Sequence, residues 1–128
     1  LCRRFGMGMM TYSPLAIGLL TGRFRRGQPV PSDSPWANNA ERFEKFMTKK
    51  TDLLLGRMQE IALQKEISMA QLAVAWLIDQ DDLTAPIIGP DKPEHIEELL
   101  CAIEVRLTEE ERSELDSLSE WDRYSKIS

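Results

Sequence analysis

The chain has 128 residues, room for one domain with a moderate core, and its 42% hydrophobic and 29% charged residues exclude a low-complexity sequence. With 16 basic and 21 acidic side chains the formal net charge is -5, a field that repels nucleic acid and gives no reason for membrane adhesion. Two cysteines far apart in sequence and a single histidine are too few for a disulfide framework or a metal site. That cysteine usage makes a reducing cytoplasm the expected compartment, and no run approaches the ~20 apolar residues of a membrane span.

The chain opens without Met, on Leu1-Cys2-Arg3-Arg4-Phe5. This reads as the tail of a helix running into a strand, lacks the apolar core of a signal peptide, and suggests a piece of a longer polypeptide. Gly6-Met7-Gly8-Met9-Met10 then supplies a short apolar run with small residues, read as a strand, that stops at Pro14, which has no amide hydrogen for a ladder. Past the stop, Gly18 and Gly22 let the backbone turn or approach a ligand closely, with the flat ring of Tyr12 beside them. Two readings stand here: a plain exit from a strand, or a loop that directs main-chain amides at an anion. Arg23, Arg25 and Arg26 follow, as a solvated surface or a place to meet phosphate.

From residue 24 to 51 periodicity is lost. Gly27, Pro29, Pro31 and Pro35 mark an irregular, lid-like loop, with Glu41 to Lys49 able to form a short helix; a disordered insertion is the alternative, against which Trp36, Phe43 and Phe46 argue for packing. Leu54, Leu55, Met58, Ile61 and Ala62 then fall at helical spacing and give one apolar face, which ends at Glu66-Ile67. Ser68-Met69-Ala70-Gln71 is a capping box that opens a second helix with Met69, Leu72, Ala73, Trp76 and Leu77 on its apolar face. Leu83 to Gly89 reads as a buried parallel strand, broken by Gly89-Pro90. Asp91-Lys92-Pro93-Glu94 reads as cap, first-turn proline and return glutamate, and Ile96, Leu99, Leu100 and Ile103 define the buried face of the helix that follows. A last helix starts at the capping box Thr108 to Glu111 and buries Leu115, Leu118 and Trp121.

The order is therefore α/β alternation with parallel-strand grammar, mostly helical with two short parallel strands. A parallel pair needs cover on both faces and edges, so further strands are expected upstream or in a partner. Ligands of parallel α/β folds bind outside the carboxyl ends of the strands, where both Gly/Pro loops would face one molecule. A dinucleotide fits: an aromatic head for Tyr12, a pyrophosphate for the first loop, and an adenosine phosphate for the second loop, with its helix start and Lys92.

Tyr12-Ser13-Pro14-Leu15 with Gly18-Leu19-Leu20-Thr21-Gly22, Ala73-Val74-Ala75-Trp76-Leu77, and Pro86-Ile87-Ile88-Gly89 with Pro93-Glu94-His95-Ile96 together resemble the aldo-keto reductases. The resemblance covers nearly the whole chain and implies the carboxyl-terminal portion of a TIM (β/α)8 barrel, strands 7 and 8 with their helices, in an oxidoreductase that reduces an aldehyde or ketone with NADP(H) or NAD(H). It implies that Tyr12 stacks on the nicotinamide, that Ser13, Pro14, Leu15 and Gly18 line the pyrophosphate, and that Arg23 closes over it. Gly89, Pro90, Asp91 and Lys92 would hold the adenosine side, with His95 near the 2'-phosphate and Glu98 on the adenine. Two positions depart from the family pattern: Asp91 stands where relatives carry serine or a basic residue, and Leu99 replaces a frequent asparagine. Asp91 beside a 2'-phosphate costs Coulomb energy unless Lys92 or a protonated His95 offsets it, and helix capping is its alternative role. The family's catalytic tetrad lies on earlier strands and none of its motifs is in this chain, so no catalytic residue is assigned and the isolated chain is expected to be inactive. The expected partners are the dinucleotide, a small carbonyl substrate, and an upstream barrel half or a second copy; a non-catalytic regulatory subunit or an inactive truncated piece is the alternative.

Overall fold

The computed structural model describes residues 1–120. Helix α1 (Cys2–Phe5) is a single turn closed by Gly6 in the left-handed conformation, and it leads into β1 (Met10–Tyr12). Strand β2 (Ala85–Ile87) pairs with β1 in parallel, with Met10 opposite Ala85, Thr11 opposite Pro86 and Tyr12 opposite Ile87. Both strands are shorter than their apolar runs. Gly6 is consumed as a helix cap, and Met9 is tied to Thr84 by two bonds outside the ladder: its amide donates to Thr84 Oγ1 at 2.8 Å, and the Thr84 amide donates to the Met9 carbonyl at 2.7 Å. Gly8 permits this approach, because a Cβ there would stand 2.8 Å from Thr84 Oγ1. On the other strand Pro86 brings no amide hydrogen to the ladder.

The segment after Gly22 is irregular only as far as Asn39. The Asn39 side chain accepts from the Arg42 amide and starts α2 (Ala40–Phe46); Thr48 accepts from the Thr51 amide and starts α3 (Lys49–Gln64). The short helix expected at Glu41 to Lys49 therefore begins one residue earlier and stops at Phe46, since a new cap two residues on redirects the chain. Phe24, Trp36, Phe43 and Met47 from this stretch enter the main core, which makes it a packed element and not a disordered insertion.

Helix α3 buries Leu55, Met58, Ile61 and Ala62, as its spacing predicts, and leaves Leu54 half-buried. The capping box at Ser68 forms in full and opens α4 (Met69–Ile78); the second, at Thr108, opens α6 (Glu109–Ser119). These three helices pack around Leu55, Ile61 and Leu72, each without accessible surface. Leu115 of α6 joins them, Leu118 is half-buried, and Trp121 lies outside the described residues. Polar contacts line the seam between helices: Arg57 with Glu114 at 2.7 Å, Lys65 with Glu111 at 2.9 Å, and the Trp76 indole donating to Asp116 Oδ1 at 2.8 Å.

Helix α5 (Pro93–Leu100) departs from its reading in two ways. Lys92, not Asp91, is its cap residue, and no side chain caps it. Pro93 forces the residue before it into extended backbone, so Lys92 takes the half-in position and Asp91 falls one residue too early to cap. Of the expected buried face only Leu99 is buried; Ile96, Leu100 and Ile103 are 43% to 58% exposed. Ala70, Val74 and Ala75 of α4 offer a narrow surface that buries Leu99 and Ala102 and is shared with Leu15, Ile88, Val105 and Leu107. Beyond Leu100 the chain tightens into a 3-10 turn (Cys101–Glu104), which turns Ile103 away from the stripe a continuous α-helix would extend. Among the described residues no single helix is long and apolar enough to cross a membrane.

Candidate functional site

The loop that leaves β1 is built on left-handed backbone. Ser13 (φ 55), Ala16 (φ 48), Ile17 (φ 58), Gly18 (φ 81) and Gly22 (φ 84) all lie in that region, three of them consecutive. Each non-glycine residue there costs about 1–2 kcal/mol, and a β-branched residue such as Ile17 is the least suited. Local bonds hold the turn: the Ala16 amide donates to the Ser13 carbonyl at 2.9 Å, the Leu20 amide to the Leu15 carbonyl at 3.2 Å, and the Thr21 hydroxyl to the Gly18 carbonyl at 2.7 Å. One bond comes from far away, the Trp36 indole N–H donating to the Ile17 carbonyl at 3.0 Å. At the loop's end Gly22 lies against the first residue of α4, where a Cβ would stand 2.9 Å from Met69 Sδ.

The second loop runs from Ile88 to Lys92, between β2 and α5. Gly89 has no positive φ and a Cβ there would meet no protein atom within 4 Å, so neither backbone nor packing demands a glycine. The open side is the space between the two loops.

Both loops leave the carboxyl ends of adjacent parallel strands and wall one groove of about 720 Å³. Tyr12, Ser13, Pro14, Leu15, Gly18 and Arg23 line it from the first loop, Gly89, Pro90 and Asp91 from the second, and His95 and Glu98 from α5. Lys92 is not among its walls. Leu99, the position that departs from the family pattern, also lines it, as do Ile17, Thr21, Phe24, Pro35, Ser68, Ala70, Ile87 and Ile88, which no sequence motif marks as site residues. Pro35 belongs to the loop already read as a lid, whereas Ser68 is a helix cap whose second face no local pattern reveals.

The charges are unevenly spread. Arg23 pairs with Asp33 at 2.6 Å, across two exposed side chains. The far end carries exposed Asp91 and His95 and half-buried Glu98, whose carbonyl accepts from Gln71 Nε2 at 3.0 Å. Tyr12 stands at the mouth, 82% exposed. The titratable walls are thus Tyr12, Arg23, Asp91, His95 and Glu98, with no lysine among the described lining residues. Below Tyr12 a second, apolar cavity of about 250 Å³ lies between α3, α4 and α6, walled by Met58, Leu72, Trp76 and Leu115. Among the described residues no three His, Cys, Asp or Glu side chains come together as a metal site.

A parallel strand pair whose carboxyl-end loops share one groove defines an α/β protein with an open groove at its strand ends, the place where ligands of such folds bind. The chain belongs to the aldo/keto reductase family, whose sequence model matches residues 1–120. It is 34% identical over 102 residues to "L-glyceraldehyde 3-phosphate reductase" of Escherichia coli strain K12, an alignment covering 77% of this chain and 29% of that protein. It is 33% identical over 103 residues to "Probable voltage-gated potassium channel subunit beta" of Oryza sativa, covering 79% of this chain and 31% of that protein. A third relative, "L-glyceraldehyde 3-phosphate reductase" of Escherichia coli O157:H7, is 31% identical over 116 residues, covering 87% of this chain and 33% of that protein. The chain thus spans about a third of the length of these curated relatives.

Proposed function

We propose that residues 1–128 form the carboxyl-terminal part of a (β/α)8 oxidoreductase that reduces an aldehyde or ketone with NADP(H) or NAD(H), and that this part supplies the cofactor cradle. The observation that carries the reading is the shared groove, in which loops separated by more than sixty residues of sequence face each other across one space. Its walls suit a dinucleotide. Tyr12 offers a flat exposed ring for a nicotinamide, the left-handed turn around Gly18 offers close backbone approach for a pyrophosphate, and Gly89 leaves its part of the second loop's wall of the groove without a side chain. Arg23 supplies the cation of the first loop once it exchanges Asp33 for phosphate, and His95 and Glu98 supply polar groups for the adenosine end.

The bound nicotinamide would supply the hydride. This chain's residues bind and orient it, and the apolar walls Ile88, Ala70 and Leu99 exclude water from one side. No residue here is assigned the proton transfer, because the groove brings no lysine beside Tyr12 and the resemblance assigns the tetrad to earlier strands. The exposed sheet residues Met10, Tyr12 and Ile87 support a role for an upstream barrel half, or a second copy, as their cover. The free thiols Cys2 and Cys101 suit a cytoplasmic setting.

The test is titration of the chain with NADP+ and NAD+ by calorimetry, together with absorbance at the nicotinamide band in the presence of NADPH and a reactive aldehyde. Binding without turnover is the expected result; turnover above background would overturn the non-catalytic assignment, and absence of binding to either nucleotide would overturn the cradle. The rice relative named as a potassium channel subunit favours a second reading, a cofactor-holding regulatory subunit of the same fold. A tetrad in the sequence upstream of Leu1 supports the enzyme, and its replacement supports the regulatory role.

A further inference from the structure

The strained turn that lines the groove is held from outside its own loop. Ala16, Ile17 and Gly18 are consecutive left-handed residues, and Ile17, the β-branched member, is the one whose carbonyl receives a side-chain donor from elsewhere, Trp36 Nε1 at 3.0 Å. Trp36 has little freedom to move. It is 3% exposed, its ring lies 5.9 Å edge-on from Phe43 and 5.6 Å from Phe46, and the Arg42 guanidinium sits 5.6 Å above it. Three of these partners belong to α2, so the aromatic cluster of that helix fixes where the indole N–H stands, and the N–H fixes the Ile17 carbonyl. Ile17 and Gly18 are groove walls, and so is Pro35, which precedes Trp36.

We propose that Trp36 is a positioning residue for dinucleotide binding: anchored by Phe43, Phe46 and Arg42, its indole donates to Ile17 and holds the Ala16-Ile17-Gly18 turn in the left-handed form that lines the pyrophosphate end of the groove. The proposal rests on the dinucleotide reading above. Removing the donor leaves the Ile17 carbonyl without its partner and Ile17 free to relax toward ordinary backbone, which displaces Gly18. A glycine at position 17 removes the strain, so the turn then no longer depends on the indole.

The test compares wild type, Trp36→Phe, Ile17→Gly with Trp36→Phe, and Arg42→Ala in the full chain, by amide hydrogen exchange at Leu19, Leu20 and Thr21 without ligand and by calorimetric titration with NADP+ and NAD+. Trp36→Phe keeps an aromatic ring and loses the donor; it is expected to speed exchange and weaken both nucleotides by roughly five- to tenfold, the effect of one hydrogen bond. The double variant is expected to recover most of that affinity. Arg42 is exposed, so its removal leaves the fold intact and carries the test should Trp36→Phe not fold; it is expected to shift both readouts the same way by about twofold. Unchanged exchange, unchanged affinity, or no recovery in the double variant overturns the positioning role while leaving the groove a dinucleotide site. Failure of wild type to bind either nucleotide overturns the dinucleotide reading, and the proposal with it.

Discussion

Asp91 shows what a single charge decides at this site. It lines the groove in the second loop, Lys92 does not, and Glu98 adds a second carboxylate at the same end. A 2'-phosphate placed there meets like charge without the neighbouring cation that the sequence alone makes available, a repulsion of about 1 kcal/mol for unit charges ~4 Å apart under full water screening. On the dinucleotide reading, Asp91→Asn is expected to tighten NADP+ by about fivefold and NAD+ by less than twofold, measured by calorimetry at low salt. Equal gains for both nucleotides would remove Asp91 from the adenosine end. Residue types were legible here and their surroundings were not: Asp91 reads as a cap, and only the extended Lys92 before Pro93 moves it off the helix and leaves it to the groove wall. Ile17 is the sharper case, since nothing in its identity announces a left-handed backbone.

Among the elements, helices that carry their own start signals form as read. Ser68 with Gln71 and Thr108 with Glu111 make complete capping boxes, because cap and return group are three residues apart and meet as soon as one turn forms. The start of α6 also carries Glu110, whose carboxyl is held below the usual carboxylate range by its own backbone amide and by the Thr108 hydroxyl. A carboxyl lowered on folding contributes stability that is complete above its unfolded pKa and is lost as pH falls through its folded one. Glu110→Gln is therefore expected to lose less of its urea midpoint than wild type between about pH 7 and about pH 3. An identical loss would show that the folded carboxyl titrates like the unfolded one. Strand limits and the face of α5 were not legible in the same way. The apolar runs at 6–10 and 83–89 overstate β1 and β2 because Gly6 caps α1, Thr84 bonds to Met9 outside the ladder and Pro86 brings no amide hydrogen to it, and the α5 stripe is cut down by the small surface that α4 presents.

For the molecule as a whole, α3, α4, α6 and the aromatic segment from Phe24 to Met47 form one core, and the sheet lies at its margin with Met10, Tyr12 and Ile87 exposed. Ile61 sits in that core without accessible surface, while Leu63 on the same helix is 69% exposed. Ile61→Ala is expected to lower stability by about 2–5 kcal/mol, and Leu63→Ala to stay within about 0.5 kcal/mol of wild type, both read from urea unfolding. Comparable losses would mean that the helix packs by another face. The sequence by itself determined the apolar faces of α3 and α4, the capping boxes that open α4 and α6, and the two Gly/Pro loops, since each depends on periodicity or on partners within about four residues. Tertiary structure alone decided that the loops face one groove, that Lys92 stays outside it, and that a tryptophan nineteen positions away holds the turn at Ile17. Those outcomes turn on residues distant in sequence brought together by core packing, where one helix's small side chains or one buried ring sets what the next element can reach.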